Sequence, residues 1–173
     1  MKSIVGSRTR RRIHSKPGLG LACLSLAFAL GCSPSEIRPE DLVATVVQFG
    51  EFEIREGRPV HVRETSQISC ELGRMFGVDY RIEYLEGSAG PVPVRFRWIH
   101  PYLEIPRLAV RGTESAAGSS NPVAPPGATS IEGRSLWSIS HPEELVSGRY
   151  EFRIQLRDGS KLLASHVFEV VGC

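Results

Sequence analysis

The sequence lacks the short motifs that mark common catalytic and metal-binding sites. It contains no CxxC, HxH or HExxH pattern, and its later histidines are far apart, at His61, His100, His141 and His166. A metal site needs several such ligands at workable spacing. There is also no G-x-S-x-G nucleophile elbow and no glycine-rich phosphate-binding loop. We therefore predict no cofactor, no metal and no enzymatic activity. A hydrolase remains the least supported alternative, because its serine, histidine and aspartate would have to converge from distant positions.

Positive charge is scarce after the first 31 residues. Those residues hold six basic and no acidic side chains, which leaves 15 basic against 19 acidic residues and a net charge of −4 over the remaining 142. Lys161 is the only lysine in that part. A nucleic-acid-binding face needs clustered positive charge, so we predict no nucleic-acid partner. The length fits one domain with a core of its own.

Long apolar runs are also missing, apart from a short one near the N-terminus. The 12 residues 19–30 are apolar or small and follow a stretch rich in arginine and lysine. A transmembrane helix needs ~20 such residues, whereas a signal-peptide core needs fewer. The run closes with Phe28-Ala29-Leu30-Gly31-Cys32. This arrangement resembles the signal peptide and lipobox of bacterial lipoproteins, although Ala29 stands where the family usually has leucine.

The resemblance implies that Cys32 is lipidated, residues 1–31 are removed as a signal peptide and residues 32–41 form a tether. The protein would then be anchored by lipid to a membrane outside the cytoplasm. Ser33, rather than an aspartate, follows the cysteine, which favours the periplasmic face of the outer membrane in a Gram-negative cell. Cys23 is a competing lipidation position. The alternatives are an ordinary secretory signal, a twin-arginine signal or an uncleaved N-terminal anchor.

Two cysteines remain once the N-terminal pair is set aside. Cys70 and Cys173 would lie outside the cytoplasm, where leftover cysteines usually pair. We therefore predict a disulfide between them. Two unpaired thiols, or pairing with another chain, are the alternatives.

The rest of the sequence alternates apolar and polar residues with a period of two. The clearest examples are residues 78–84, 94–98 and 150–156. Such alternation indicates antiparallel strands with one buried face. About seven to nine short strands over residues 42–173 favour an all-β sandwich of the immunoglobulin-like or fibronectin-like kind. The apolar spacing slips between Phe49 and Phe52 around Gly50, which predicts a β-bulge or a strand break.

Several structural motifs then resemble those of a group of small secreted bacterial domains of unknown function. They are Phe76-Gly77-Val78, Trp98-Ile99-His100-Pro101, Trp137, Glu144-Leu145-Val146-Ser147-Gly148 and a terminal Phe-x-Val. The resemblance implies an immunoglobulin-like fold and assigns no functional residues. Residues 112–133 lack a structural pattern and are predicted to form a flexible loop, or a loop that contacts a partner.

These observations predict a lipid-anchored, non-catalytic protein of the cell envelope. Its partners would be the membrane, through lipidated Cys32, and another envelope protein. Its role would be that of a protein-interaction or structural module. The alternative is a domain that binds a small carbohydrate or lipid in a groove between the sheets.

Overall fold

The computed structural model describes residues 35–105, 110–117 and 122–173, and this part of the chain forms a β-sandwich. Its strands are β1 (Val43–Arg55), β2 (Arg58–Arg63), β3 (Gln67–Ser69), β4 (Met75–Glu83), β5 (Gly90–Pro91), β6 (Val94–Ile105), β7 (Val110–Ala116), β8 (Val123–Ala124), β9 (Ser130–Ser138), β10 (Gly148–Leu156) and β11 (Leu162–Val171). Eight of them have six or more residues. The predicted all-β fold is therefore confirmed.

The long strands form two sheets. The first sheet has the order β2-β1-β4-β9 and the second has the order β3-β11-β10-β6-β7, while β5 and β8 pair separately. Every neighbouring pair is antiparallel except β3 and β11, which run parallel. The first sheet is called the four-stranded sheet below, and the second the five-stranded sheet.

The core lies between the two sheets and is rich in aromatic rings. Phe76 of β4 is fully buried, and its ring centroid lies 5.1 Å from Phe168, 5.8 Å from Tyr150 and 5.9 Å from Trp98. These three partners belong to β11, β10 and β6, so one side chain of the four-stranded sheet touches three strands of the five-stranded sheet. The alternation of residues 150–156 fits this arrangement, because Tyr150 and its alternate neighbours face the core.

Strand β1 is continuous, so of the two alternatives predicted near Gly50 the strand break is wrong, whereas the β-bulge is matched by a register shift one residue later. Its register against β4 shifts between Val46 and Gln48, and its register against β2 shifts between Glu51 and Phe52. The slip in apolar spacing has a different origin. Phe49 points inward and stacks on His166 of the five-stranded sheet, whereas Phe52 lies on the outer face of its own sheet, under Arg134. Because side chains alternate between the two faces of a strand, two rings that are three residues apart point to opposite faces.

The hairpin of β1 and β2 ends in a two-residue turn and forms one edge of the four-stranded sheet. Glu56 and Gly57 both have positive φ, of 52° and 75°. Two consecutive positive φ angles are the signature of the turn that matches strand twist in tight hairpins. Strand β2 carries Pro59, which has no N–H to donate, and its outer side is free in the described structure.

Residues 112–133 do not form the predicted loop throughout. Strand β7 runs to Ala116, β8 pairs with β5, and β9 begins at Ser130. Residues 118–121 lie outside the described residues. The strands in this region were not predicted because their side chains are mostly small and polar and show no clear alternation. The backbone hydrogen bonds that form them depend little on side-chain type.

The segment predicted as a tether is partly folded into the domain. The backbone N–H of Ser35 donates to the carbonyl of Gly87 at 3.1 Å, and the Ser35 carbonyl accepts from the N–H of Ala89 at 3.0 Å. Ile37 and Leu42 join the core with 4% and 2% of their surfaces exposed. Residues 35–42 are therefore a docked segment, and this name is used for them below.

A disulfide joins Cys70 and Cys173, as the cysteine count predicts, with the two Cα atoms 5.0 Å apart. The backbone supports the same connection, because the Cys70 N–H donates to the Val171 carbonyl at 2.9 Å. The bridge therefore fixes the end of β11 beside β3, at the end of the sandwich opposite the docked segment. Cys32 and the predicted signal peptide lie outside the described residues.

Candidate functional site

Two of the histidines considered for a metal or catalytic site, His100 and His166, pack among aromatic rings. Residues 35–105, 110–117 and 122–173 contain no group of three or more His, Cys, Asp or Glu side chains that could hold a metal ion. His100 is 3% exposed and packs beside the rings of Trp137 and Tyr150, with centroid distances of 5.0 and 6.3 Å. Its Nδ1 lies 2.8 Å from the Pro101 carbonyl and its Nε2 lies 2.8 Å from the Ser115 hydroxyl. A carbonyl can only accept, so Nδ1 carries a proton, and Nε2 shares the second hydrogen bond with the Ser115 hydroxyl.

His166 links the two sheets at the edge near β1. Its ring stacks on Phe49 with centroids 4.0 Å apart, and its Nε2 lies 3.0 Å from the Ser66 hydroxyl. Burial lowers the pKa of His166 from its usual 6.5, because a partly desolvated site disfavours the charged imidazolium. The position is a packing site in which the neutral ring is favoured.

Acidification is expected to destabilise the fold through His166. Its pKa is lower in the folded state than in the unfolded chain, so the unfolded chain takes up the proton first. This contribution is complete above pH 6.5 and is lost as the pH falls below that value. The check is the melting temperature as a function of pH for wild type and for His166→Asn. Glu151 titrates lower, since its pKa is below 4.5. Equal slopes for the two proteins just below pH 6.5 would contradict the assignment.

An open groove of about 570 Å³ lies on the outer face of the four-stranded sheet. It is referred to below as the outer groove, and its lining residues are Val47, Gln48, Asp79, Tyr80, Glu132, Gly133 and Arg134. The register shift of β1 places Val47 at the bulge, with 50% of its surface exposed. An apolar side chain thus stands beside paired charges on a rigid sheet.

The charges at the outer groove are paired across β4 and β9. Arg134 donates from Nε and Nη2 to the two carboxylate oxygens of Asp79, at 2.5 and 2.8 Å. One step along the sheet, Arg81 donates to Glu132 at 2.7 and 3.0 Å. The arginine is on β9 in the first pair and on β4 in the second. Bidentate arginine–carboxylate pairs fix geometry as well as charge, so this face is ordered and has little net charge.

Arg134 also covers an aromatic ring. Its guanidinium carbon lies 4.8 Å from the centroid of Phe52, and its Nη1 donates to the Pro59 carbonyl at 2.5 Å. Phe52 is only 3% exposed although it lies on the outer face. A cation over an aromatic ring is attracted by the negative face of the ring. Arg134 therefore joins β9, β4 and the β1–β2 hairpin.

The arginines on the five-stranded sheet are also mostly paired, which favours ion pairing over an arginine patch. Arg97 and Arg153 are directly opposite in register, but each has its own carboxylate. Arg97 lies 2.6 Å from Glu114, and Arg153 lies 2.9 Å from Glu151. The hydrogen bond from Arg153 is the main cause of the lowered pKa of Glu151.

Aromatic rings fill the space between the sheets where a ligand groove was considered. Tyr80 lies 4.9 Å from Phe96 and 5.9 Å from Phe152, measured between ring centroids. Trp98 continues the same cluster at 5.6 Å from Phe152. The structure therefore disfavours a binding groove in this part of the interior.

Some residues of structural importance gave little signal in the sequence. Glu144 is only 7% exposed and accepts from the N–H groups of Ser140 and His141, both at 2.8 Å. It caps the short helical turn Pro142–Glu144. A carboxylate shortly after proline at a predicted turn is the signal that could have suggested this cap.

One solved structure shares this fold over most of the chain. It is an immunoglobulin-like protein from Pseudomonas aeruginosa, 21% identical, with a TM-score of 0.50, and the match covers 82% of this chain and 100% of that one. An alkylpurine DNA glycosylase from Pseudomonas fluorescens and a β-glucosidase from Listeria innocua match over 76% of this chain, at 12% and 10% identity and TM-scores of 0.47 and 0.48. These matches cover 31% and 16% of their own chains. No protein-family model and no curated protein matches the sequence.

The comparison with the Pseudomonas aeruginosa protein establishes an immunoglobulin-like fold. In the described ranges, no helix is long and apolar enough to cross a bilayer.

Proposed function

We propose that this chain is a lipid-anchored, non-catalytic module of the bacterial cell envelope that acts by contacting another envelope protein. Its location would be the periplasmic face of the outer membrane in a Gram-negative cell. The sequence ending at Cys32 motivates the anchor. The observation that carries the proposal is the docked segment, which pairs with the domain from Ser35, only three residues after that cysteine, and enters the core at Ile37. The distance between the two suits a domain held close to its membrane.

The outer groove is the proposed partner surface. It combines an exposed valine with two cross-strand ion pairs on a rigid sheet. Protein interfaces place apolar contacts among polar groups that fix orientation. Because the described aromatic core fills the interior, a partner meets this module through its surface.

A cross-linking pull-down from intact cells tests the anchor and the surface separately. We expect Cys32→Ala to leave a folded protein in the soluble fraction, because the thiol that would receive the lipid is gone. Retention of this variant in the membrane pellet would count against lipid anchoring.

The same pull-down with Val47→Arg tests the partner surface. The substitution places a bulky charge in the outer groove, and we expect it to abolish the cross-linked product. Leu72→Arg is the matched control, since Leu72 is similarly exposed, at 55%, and lies at the end of the sandwich opposite the docked segment. Equal yields from both variants would assign the partner to another face.

A further inference from the structure

The docked segment leaves very little free chain next to the proposed anchor. Only Ser33 and Pro34 separate Cys32 from Ser35, where the chain first pairs with the domain. Three extended residues reach at most about 11 Å. If Cys32 carries the lipid, the entry point of the chain lies within that distance of the bilayer surface. This step rests on the proposed function.

An exposed leucine lies beside this entry point. The carbonyl of Leu85 accepts from the Ser88 N–H at 3.2 Å, which closes a turn, and Gly87 in the same turn holds Ser35. The side chain of Leu85 is 58% exposed. A single exposed leucine has no meaning by itself. Here it lies two residues from the backbone that holds the anchored chain.

The charges around the turn favour an apolar contact over an electrostatic one. Exposed Glu36 and Glu86 lie in sequence beside Arg38 and in the turn, so positive charge is not concentrated in these two segments. The contact would therefore be shallow, with the leucine side chain at the boundary of headgroups and acyl chains and the carboxylates in water. An inserted leucine side chain would add to the membrane affinity of the acyl anchor, because each further methylene group buried in the bilayer strengthens binding.

We propose that Leu85 is a second membrane contact and that the sandwich stands on the end formed by the docked segment. The partner of this surface is the same lipid bilayer that receives the acyl chains of Cys32. Strand β1 leads away from this end for 13 residues, or about 40 Å at 3.3 Å per residue. The β1–β2 hairpin and the disulfide are thus directed away from the membrane.

Site-directed nitroxide labelling of the full-length, processed protein tests this orientation. Leu85→Cys and the control Leu72→Cys are labelled and reconstituted in vesicles of phosphatidylethanolamine and phosphatidylglycerol. The native pair Cys70 and Cys173 is held in the disulfide. The measurement compares collisions of each nitroxide with oxygen, which concentrates in lipid, and with a water-soluble nickel chelate. We expect a higher oxygen-to-nickel ratio at position 85 and a lower one at position 72.

The possible failures are distinguishable. Equal, water-like ratios at both positions on acylated protein would overturn the membrane contact and leave the anchor intact. A nitroxide at position 85 that is shielded from both probes would indicate a second copy of this chain, which also overturns the lipid assignment. Mass spectrometry of the N-terminal peptide separates these results from an unacylated Cys32, which would overturn both proposals. Matching melting temperatures confirm that both labelled variants are folded.

Discussion

Replacing Cys173 with serine is expected to lower the free energy of unfolding by about 4–5 kcal/mol. The bridge to Cys70 closes a loop with a sequence separation of 103, so its loss returns considerable conformational freedom to the unfolded chain. Cys173 is exposed, and serine therefore leaves no cavity in the core. Urea unfolding of the oxidised wild type and the variant, followed by fluorescence, measures the difference.

Reduction of the wild type provides the matched control. Reduced wild type and Cys173→Ser should unfold at the same urea concentration, since both lack only the bridge. Cys70→Ser should lose more stability, because Cys70 is 8% exposed and packs in the core. If the Cys173→Ser midpoint coincided with that of the oxidised wild type, the parallel pairing of β3 and β11 would be sufficient to hold the C-terminus.

Phe76→Ala is expected to cost about 3–5 kcal/mol of stability. The ring is completely buried and packs on Trp98, Tyr150 and Phe168, which come from three strands of the opposite sheet. Its removal leaves a cavity that these rigid strands cannot close, and the two sheets lose a common contact. Chemical denaturation measures this loss as a lower midpoint concentration, provided that the slope of the unfolding free energy against denaturant concentration is the same as in wild type.

Two further variants separate packing from other effects. Phe76→Leu keeps much of the volume and should lose clearly less stability than alanine. Val47→Ala changes an exposed position and should stay within about 0.5 kcal/mol of wild type. Similar losses for leucine and alanine at position 76 would show that ring contacts, rather than buried volume, hold the sheets together.

The parts of the fold that were predictable are those in which a strand buries only one face. In β10 the side chains of Tyr150, Phe152 and Ile154 enter the core, whereas Glu151 and Arg153 between them lie on the other face and form an ion pair. The alternation of apolar and polar residues in the sequence follows directly from this difference between the two faces of the strand. The pairing of Cys70 with Cys173 was predictable for another reason, since few cysteines remained after the N-terminal ones were assigned.

Other features depend on contacts between distant residues, and no local pattern reports them. Ser35 docks through its backbone atoms, so its side chain gives no signal. Arg134 covers Phe52 from a different strand, which makes an outer-face phenylalanine look like a strand interruption in the sequence. The outer groove likewise arises from the register between β1 and β4, which the sequence of either strand alone does not contain.

Strand β2 has a consequence for copies of this domain at high density. An open strand edge is a template for pairing with a neighbour, and proteins crowded on one surface meet such edges often. Here Pro59 removes a donor near the start of the edge, Arg58 and Arg63 place like charges at its two ends, and the register shift beside Phe52 distorts the hairpin. Edge-to-edge aggregation through β2 is thereby opposed, which allows many copies to be packed together as separate folded domains.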